Sequence, residues 1–284
     1  MTDPAVAALR FLAFVGWTLI ALPPYLVLTA LNWSGYTRYV RAYFRVVTRL
    51  LGFQVVVKGA PPSAARPTLF VANHASYLDI IILGSVLEAN FVAKAEVAGW
   101  PGFGYLSRIA RTVFVNRARG ATARERDQLS TRLHAGDSLI LFPEGTSNDG
   151  NRVLPFKSSL FAVAQMRTGD GKALPVQPVS VAYTRLDGQP MGRAFRPFFA
   201  WYGDMTMAGH LFEVLGLGQA TVEVVFHPPV TIADFADRKA LANHCHDVIN
   251  HAVVASLCGR LDEDRIIAHR PASAAKADPA LAEG

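Results

Sequence analysis

From Phe11 to Leu31 the chain carries no charged residue. Few features restrict a fold more, because about 20 consecutive apolar residues match the thickness of a bilayer core. Pro23 and Pro24 divide the segment after twelve residues, which leaves a kinked span and a re-entrant hairpin in one leaflet both open. A cleaved signal peptide is the competing reading. The single early cation, Arg10, and the lack of an evident small-x-small cleavage site speak against it.

The next segment supports a membrane surface. Arg38, Arg41, Arg45 and Arg49 recur at three- and four-residue spacing and share one helix face, while Tyr39, Val40, Tyr43, Phe44, Val47, Leu50 and Leu51 take the other. No acidic residue falls between Ser34 and Pro61. An ordinary helix with a solvated basic face fits the same pattern. Beside an apolar segment, the stronger expectation is an interfacial helix with its arginines at the level of lipid phosphates. The cations also place the rest of the chain on the cytoplasmic side of an inner membrane. The whole composition agrees: 51 % apolar residues, 18 % charged, a net charge of +6 and a mean hydropathy of +0.23. Such a chain suits an anionic surface or substrate. Nucleic acid is not expected, because no lysine or arginine run and no nucleic-acid module is present. Two cysteines, Cys245 and Cys258, make no disulfide framework and imply a reducing compartment.

After Gly52 the pattern becomes α/β. Strands are expected at Phe53–Val57, Thr68–Ala72, Phe91–Ala93, Thr112–Val115, Ser138–Phe142, Val176–Tyr183, Ala194–Tyr202 and Thr221–His227. Helices are expected at Tyr77–Leu87, Ala121–His134, Phe156–Met166 and Asp234–Leu257. Pro178 suggests that its strand sits at an edge or is irregular. The alternation implies a mixed, largely parallel sheet covered by helices. The chain thus divides into three regions: membrane-anchoring helices over 1–52, an α/β domain over 53–268, and a disordered Ala/Pro-rich tail over 269–284.

The chemistry-bearing residues gather at strand ends. In Asn73-His74-Ala75-Ser76-Tyr77-Leu78-Asp79 a buried strand delivers a histidine to its C-terminal end. Asp79, five residues on, is placed to reach one imidazole nitrogen and leave the other free to accept a proton. Ser76-x-x-Asp79 is equally a capping-box pattern, so the spacing alone leaves both readings open. Further on stand Arg111-Thr-Val-Phe-Val-Asn-Arg117, Phe142-Pro-Glu-Gly-Thr146 and Leu174-Pro-Val-Gln-Pro-Val179. Taken singly, these read as a solvated strand-end cation, a turn and an edge strand. No Gly-x-Ser-x-Gly elbow marks a serine hydrolase. His244, His246, Asp247 and His251 read as a solvated helix face rather than a zinc site.

In this order, the four blocks resemble the glycerolipid acyltransferases, the family of 1-acyl-glycerol-3-phosphate acyltransferases, over roughly residues 35–185. The resemblance implies acyl transfer from an acyl-carrier-protein or coenzyme A thioester to a lysolipid hydroxyl at a membrane surface, with no cofactor and no metal. It implies His74 and Asp79 as the catalytic pair and Arg117 as a ligand of the acceptor's phosphate. Glu144, Gly145 and Thr146 fall in the block that holds the acceptor head group, and Pro175 and Pro178 in the one that shapes the acyl-donor side. Lys94 matches a lysine that steadies the oxyanion or a phosphate, a role that backbone N–H groups near the Asn73-His74 turn would share. Three positions depart: Arg111 stands where glycine is usual, Asn116 where aspartate is common, and Ser147 where a phosphate-binding arginine is usual. Arg152 is the candidate to replace that cation. Lysophosphatidate is the first acceptor to expect. Ala200-Trp-Tyr-Gly-Asp-Met205 and His227-Pro-Pro-Val230 resemble a bacterial subgroup that acylates lyso-ornithine lipid, which sets that zwitterionic acceptor second. A lipid-binding protein without catalysis is the remaining alternative.

Overall fold

The computed structural model describes residues 2–31, 33, 35–99, 111–115, 123–262, 264 and 266. The first helix, α1 (Pro4–Ala30), starts on Asp3, whose carboxylate accepts from the Ala5 and Val6 N–H groups, with Pro4 at the first helical position. It runs through Pro23 and Pro24 without a break, so the prolines do not turn the chain back. Prolines loosen the preceding turn by withholding N–H donors. Within that turn the Ala21 carbonyl takes the hydroxyl of Tyr39, at 2.7 Å. The reversal comes after α1 has ended, and α2 (Tyr36–Leu50) folds back along α1. Trp17 and Tyr43 stack across the two helices, as do Tyr25 and Tyr39. Arg10, the one cation on α1, donates to the carbonyls of Leu215 and Leu217, so its charge meets a helix C-terminus. A stripe of α1 stays uncovered, with Leu9, Leu12, Leu19 and Ile20 65–69 % exposed. Its length and apolarity suffice to cross a membrane.

Beyond these helices, the described residues form one sheet of eight strands, in the order β1-β8-β6-β2-β5-β3-β4, with β7 on β6. The strands are β1 (Phe53–Gly59), β2 (Leu69–Ala72), β3 (Asn90–Lys94), β4 (Val113–Val115), β5 (Leu139–Leu141), β6 (Val176–Leu186), β7 (Gln189–Pro190) and β8 (Ala220–Phe226). Pairing is parallel except for β6 with β8 and β6 with β7. The central strand β2 is wholly buried, as its unbroken run of apolar residues requires. Phe70 and Ala72 face α2 and two further helices, α3 (Leu78–Val86) and α5 (Met207–Gly216). Leu69 and Val71 face α4 (Ala123–His134) and α6 (Arg238–Leu257). Each fully buried Leu, Ile or Phe stabilises by about 1.5–3 kcal/mol, and this double core makes β2 a firm mount for the turn at its carboxyl end.

Three expectations need correction. Phe156–Met166 forms no α-helix; Ser158–Gln165 is a 3-10 helix. Ala194–Tyr202 is not a strand but an irregular stretch around a 3-10 turn at Arg196–Phe198. Of the two readings of Pro178, the irregular position holds and the edge fails, since its strand is interior and it pairs with Val71. It is tolerated because the antiparallel register slips there, from Val176 opposite Val230 to Val179 opposite Phe226. The His227 carbonyl on that side is taken by the Gln177 side chain instead, at 2.9 Å.

Candidate active site

The sheet brings His74 and Asp79 together. Asn73 extends β2 beyond its last paired residue, its side-chain amide exchanging two hydrogen bonds with the backbone of Val181 on β6. This fixes the carboxyl end of β2, and the chain then turns sharply into α3. Asp79 sits in the first turn of α3, with no exposed surface. Its Oδ2 accepts from His74 Nδ1 at 2.9 Å and from the Ala75 and Ser76 N–H groups at 2.8 and 3.0 Å. Its Oδ1 accepts the Tyr183 hydroxyl at 2.9 Å. A buried carboxylate without partners is costly, and charge-assisted hydrogen bonds offset this at about 1.5–3 kcal/mol each. One oxygen therefore both orients the imidazole and holds the turn that leads into α3. Ser76 plays no capping-box role: its Oγ accepts from Leu78 N–H instead.

Because a carboxylate only accepts, Nδ1 is the donor and the lone pair falls on Nε2. The His74 ring lies against Phe142, with centroids 4.1 Å apart and planes within 18°, and its side chain keeps 18 % exposure. The imidazole is thus held on one face and anchored at Nδ1, and no hydrogen bond to Nε2 occurs among the described residues. Such a group accepts a proton from a hydroxyl presented at its free edge.

Glu144 underlies this arrangement. It is 2 % exposed. Its Oε1 accepts the His74 N–H at 2.8 Å, and its Oε2 accepts Asn148 Nδ2 and the Leu154 N–H, at 2.8 and 3.0 Å. Asn148 Nδ2 also reaches the His74 carbonyl at 3.1 Å. Burial pushes the Glu144 carboxyl up to about 7, and its hydrogen bonds pull the other way. A carboxylate so engaged faces the protein, whereas the family block implies a head-group ligand.

The other expected residues divide. Gly145 has φ +75°, a left-handed backbone that calls for glycine. Thr146 is exposed. Pro175 and Pro178 pair near Leu69 and Val71, within the sheet rather than beside the His74 ring. Arg117, Asn116 and the Lys94 side chain lie outside the described residues. Arg111, where glycine is usual, takes φ +57°, and its guanidinium lies 4.7 Å above the Tyr36 ring. Ser147 turns its hydroxyl to the Trp201 carbonyl. The expected backbone donors of an oxyanion site are committed elsewhere, because the His74, Ala75 and Ser76 N–H groups all serve carboxylates. No group of three metal-ligating side chains occurs among the described residues; His246 bonds to Asp247, and His251 to its carbonyl.

Sequence reasoning missed Tyr183 and Asn148. Tyr183 had a readable signal: in β6 it shares the alternating face of Val179 and Val181, the face that meets α3. Its hydroxyl is held well above its usual pKa by burial and by the Asp79 charge, so it stays a donor.

A family model described as Acyltransferase matches residues 54–182. The chain is 42 % identical, over 253 residues, to a lyso-ornithine lipid O-acyltransferase from Brucella abortus, covering 87 % of this chain and 94 % of that one. It is 30 % identical over 195 residues to a 1-acyl-sn-glycerol-3-phosphate acyltransferase from Neisseria gonorrhoeae, covering 68 % of this chain and 72 % of that one. The crystal structure of the Thermotoga maritima 1-acyl-sn-glycerophosphate acyltransferase shares the fold, with a TM-score of 0.62 at 22 % identity, over 91 % of this chain and 97 % of that one.

Proposed function

This chain belongs to the glycerolipid acyltransferase family, and on that premise we propose that it moves an acyl group from an acyl-carrier-protein or coenzyme A thioester onto the hydroxyl of lyso-ornithine lipid. Acylation of a lysolipid is common to its relatives, and the acceptor is the finer step. What carries it is the higher identity to the lyso-ornithine lipid enzyme, across nearly that enzyme's whole length. Ser147 supports it: a phosphate-binding arginine is usual there, and here a hydroxyl is spent on the Trp201 carbonyl. A zwitterionic head group needs fewer cations than a phosphate. Lysophosphatidate takes second place.

In this mechanism the acceptor hydroxyl approaches Nε2 of His74. As its oxygen bonds to the thioester carbonyl carbon, its proton passes to Nε2, and the Asp79 carboxylate stabilises the imidazolium. The carbon–sulfur bond then breaks, and His74 returns the proton to the departing thiolate. No acyl-enzyme forms and no cofactor takes part. The transient oxyanion needs donors other than the N–H groups of His74, Ala75 and Ser76, and Lys94 is the family's candidate. Glu144 acts as a positioning residue through the His74 backbone. The apolar stripe of α1 and the arginines of α2 suit attachment to the cytoplasmic face of an inner membrane, where acceptor and product both reside.

The test is transfer by the purified protein in vesicles, with each thioester offered against each lysolipid. A higher kcat/KM for lyso-ornithine lipid is expected. A preference for lysophosphatidate would move the assignment there, and no thiol release with either would end it.

A further inference from the structure

The irregular stretch that replaces the expected strand at Ala194–Tyr202 borders the catalytic turn. Trp201 N–H donates to the carbonyl of Ala75, the residue after His74, at 2.9 Å. Ser147 ties the same tryptophan to the Glu144 turn, and Gly150 packs between Ala75, Ala200 and Arg196. The stretch is therefore the lip of the site, held by bonds within the protein. Yet its outer side chains are large and uncovered. Phe195, Phe198 and Tyr202, with Phe212 just beyond on α5, are 37–47 % exposed. The Phe195 and Phe198 rings stack 6.2 Å apart, facing no other ring among the described residues.

Scattered apolar residues on a surface are ordinary, but a cluster of aromatics beside a binding site marks a contact surface. Its neighbours identify the partner. The lip leads into α5, and α5 packs along α1, with the Asp3 N–H on the Gly216 carbonyl and Arg10 on Leu215 and Leu217. The lip is thus joined through one helix to the element carrying the uncovered stripe of Leu9, Leu12, Leu19 and Ile20. Arg193 is exposed two residues before Phe195, a cation suited to lipid phosphates. Phenylalanine and tyrosine beside an arginine are the residue types that settle at a bilayer interface.

We propose that this aromatic lip is a second membrane-contact surface, separate from α1, that enters the leaflet holding the acceptor and sets the His74 mouth at head-group level. Helix α1 keeps the protein on the membrane, and the lip decides how readily a lipid passes from the leaflet to the imidazole. The inference rests on the reading that the acceptor is a membrane lysolipid.

The experiment uses the full chain and the F195S/F198S double variant, with two forms of one acceptor. One form is long-chain lyso-ornithine lipid in vesicles of phosphatidylethanolamine and phosphatidylglycerol. The other is a short-chain analogue, soluble as a monomer. The variant is expected to sediment with vesicles as wild type does and to acylate the soluble analogue within about twofold of the wild-type rate, while its apparent KM for the vesicle acceptor rises about tenfold. F195L/F198L, which keeps apolar area, should restore most of that loss. An unchanged vesicle KM would overturn the proposal. Equal loss on both acceptors would overturn it too, since the rings would then shape the site itself. Wild-type protein that acylates neither form would instead remove the reading beneath it.

Discussion

The two sides of the His74 ring are built on opposite principles. Behind it, Phe142 covers one face of the ring and the polar partners are all internal: Asp79 and Glu144 are buried and together accept from the backbone of His74, Ala75, Ser76 and Leu154 and from the side chains of His74, Asn148 and Tyr183. In front of it, the lip at 195–202 shows Phe195, Phe198 and Tyr202 outward and is anchored by Phe199, buried against Phe53 and Tyr183, and by the Trp201 N–H on the Ala75 carbonyl. The first region fixes a proton acceptor to within a narrow geometry, which is what orientation in catalysis requires. On the proposed mechanism the second takes no part in the proton transfer and is free to match a lipid surface. Substitutions behind the ring should therefore lower kcat, and those in front should act on KM.

The sharpest way to break this division is Asp79→Asn. An amide cannot accept from three donors and does not hold the same tautomer, so kcat should fall about 10²–10⁴-fold with little change in KM. Combining it with His74→Ala should add almost nothing, because the two groups act as a unit. Independent losses that multiply would separate them.

Glu144→Gln comes next. Its amide group must face at least one N–H donor, so the turn shifts and kcat falls about 10- to 100-fold. The same variant carries a pH signature. Burial raises the Glu144 pKa from 4.5 to about 7, so the folded chain holds this proton more tightly than the unfolded one does. Its contribution to stability is complete below about pH 4.5 and is lost as pH rises through about 7, by on the order of 3 kcal/mol. Urea denaturation across that range should show wild type losing stability that Glu144→Gln retains; parallel curves would contradict a buried, proton-linked carboxyl.

Tyr183→Phe should have the smallest effect. It leaves Asp79 Oδ1 without a donor, at about 1.5–3 kcal/mol of stability, and lowers kcat about three- to tenfold by loosening the Asp79–His74 geometry. A change in KM alone would place Tyr183 in front of the ring rather than behind it.

Much of the region behind His74 was legible in the sequence, because strand, turn and helix lie within about ten residues there. The apolar run 68–72 predicts a buried strand, and five-residue spacing brings Asp79 under the imidazole. Distant support was legible only in part. The alternation of β6 puts Tyr183 on the face that meets α3, and the family block singles out Glu144, but the two stand 104 and 70 residues from their partners and only the strand order joins them. The expected strand at Ala194–Tyr202 failed for a related reason. Its aromatics satisfy strand propensity, but Pro197 and the bonds from Ala75 and Ser147 shape it as a lip instead. Pro178 signalled the irregularity correctly but not the place, since a register slip admits it to an interior strand.

The claim at the centre is that His74 takes the acceptor's proton. It is tested most directly by acceptor-dependent thiol release from His74→Ala, in the same vesicles as wild type, with circular dichroism and thermal unfolding to show that the fold is intact. A folded variant whose release falls at least about 10²-fold is predicted. A folded variant that releases thiol at the wild-type rate would contradict the mechanism.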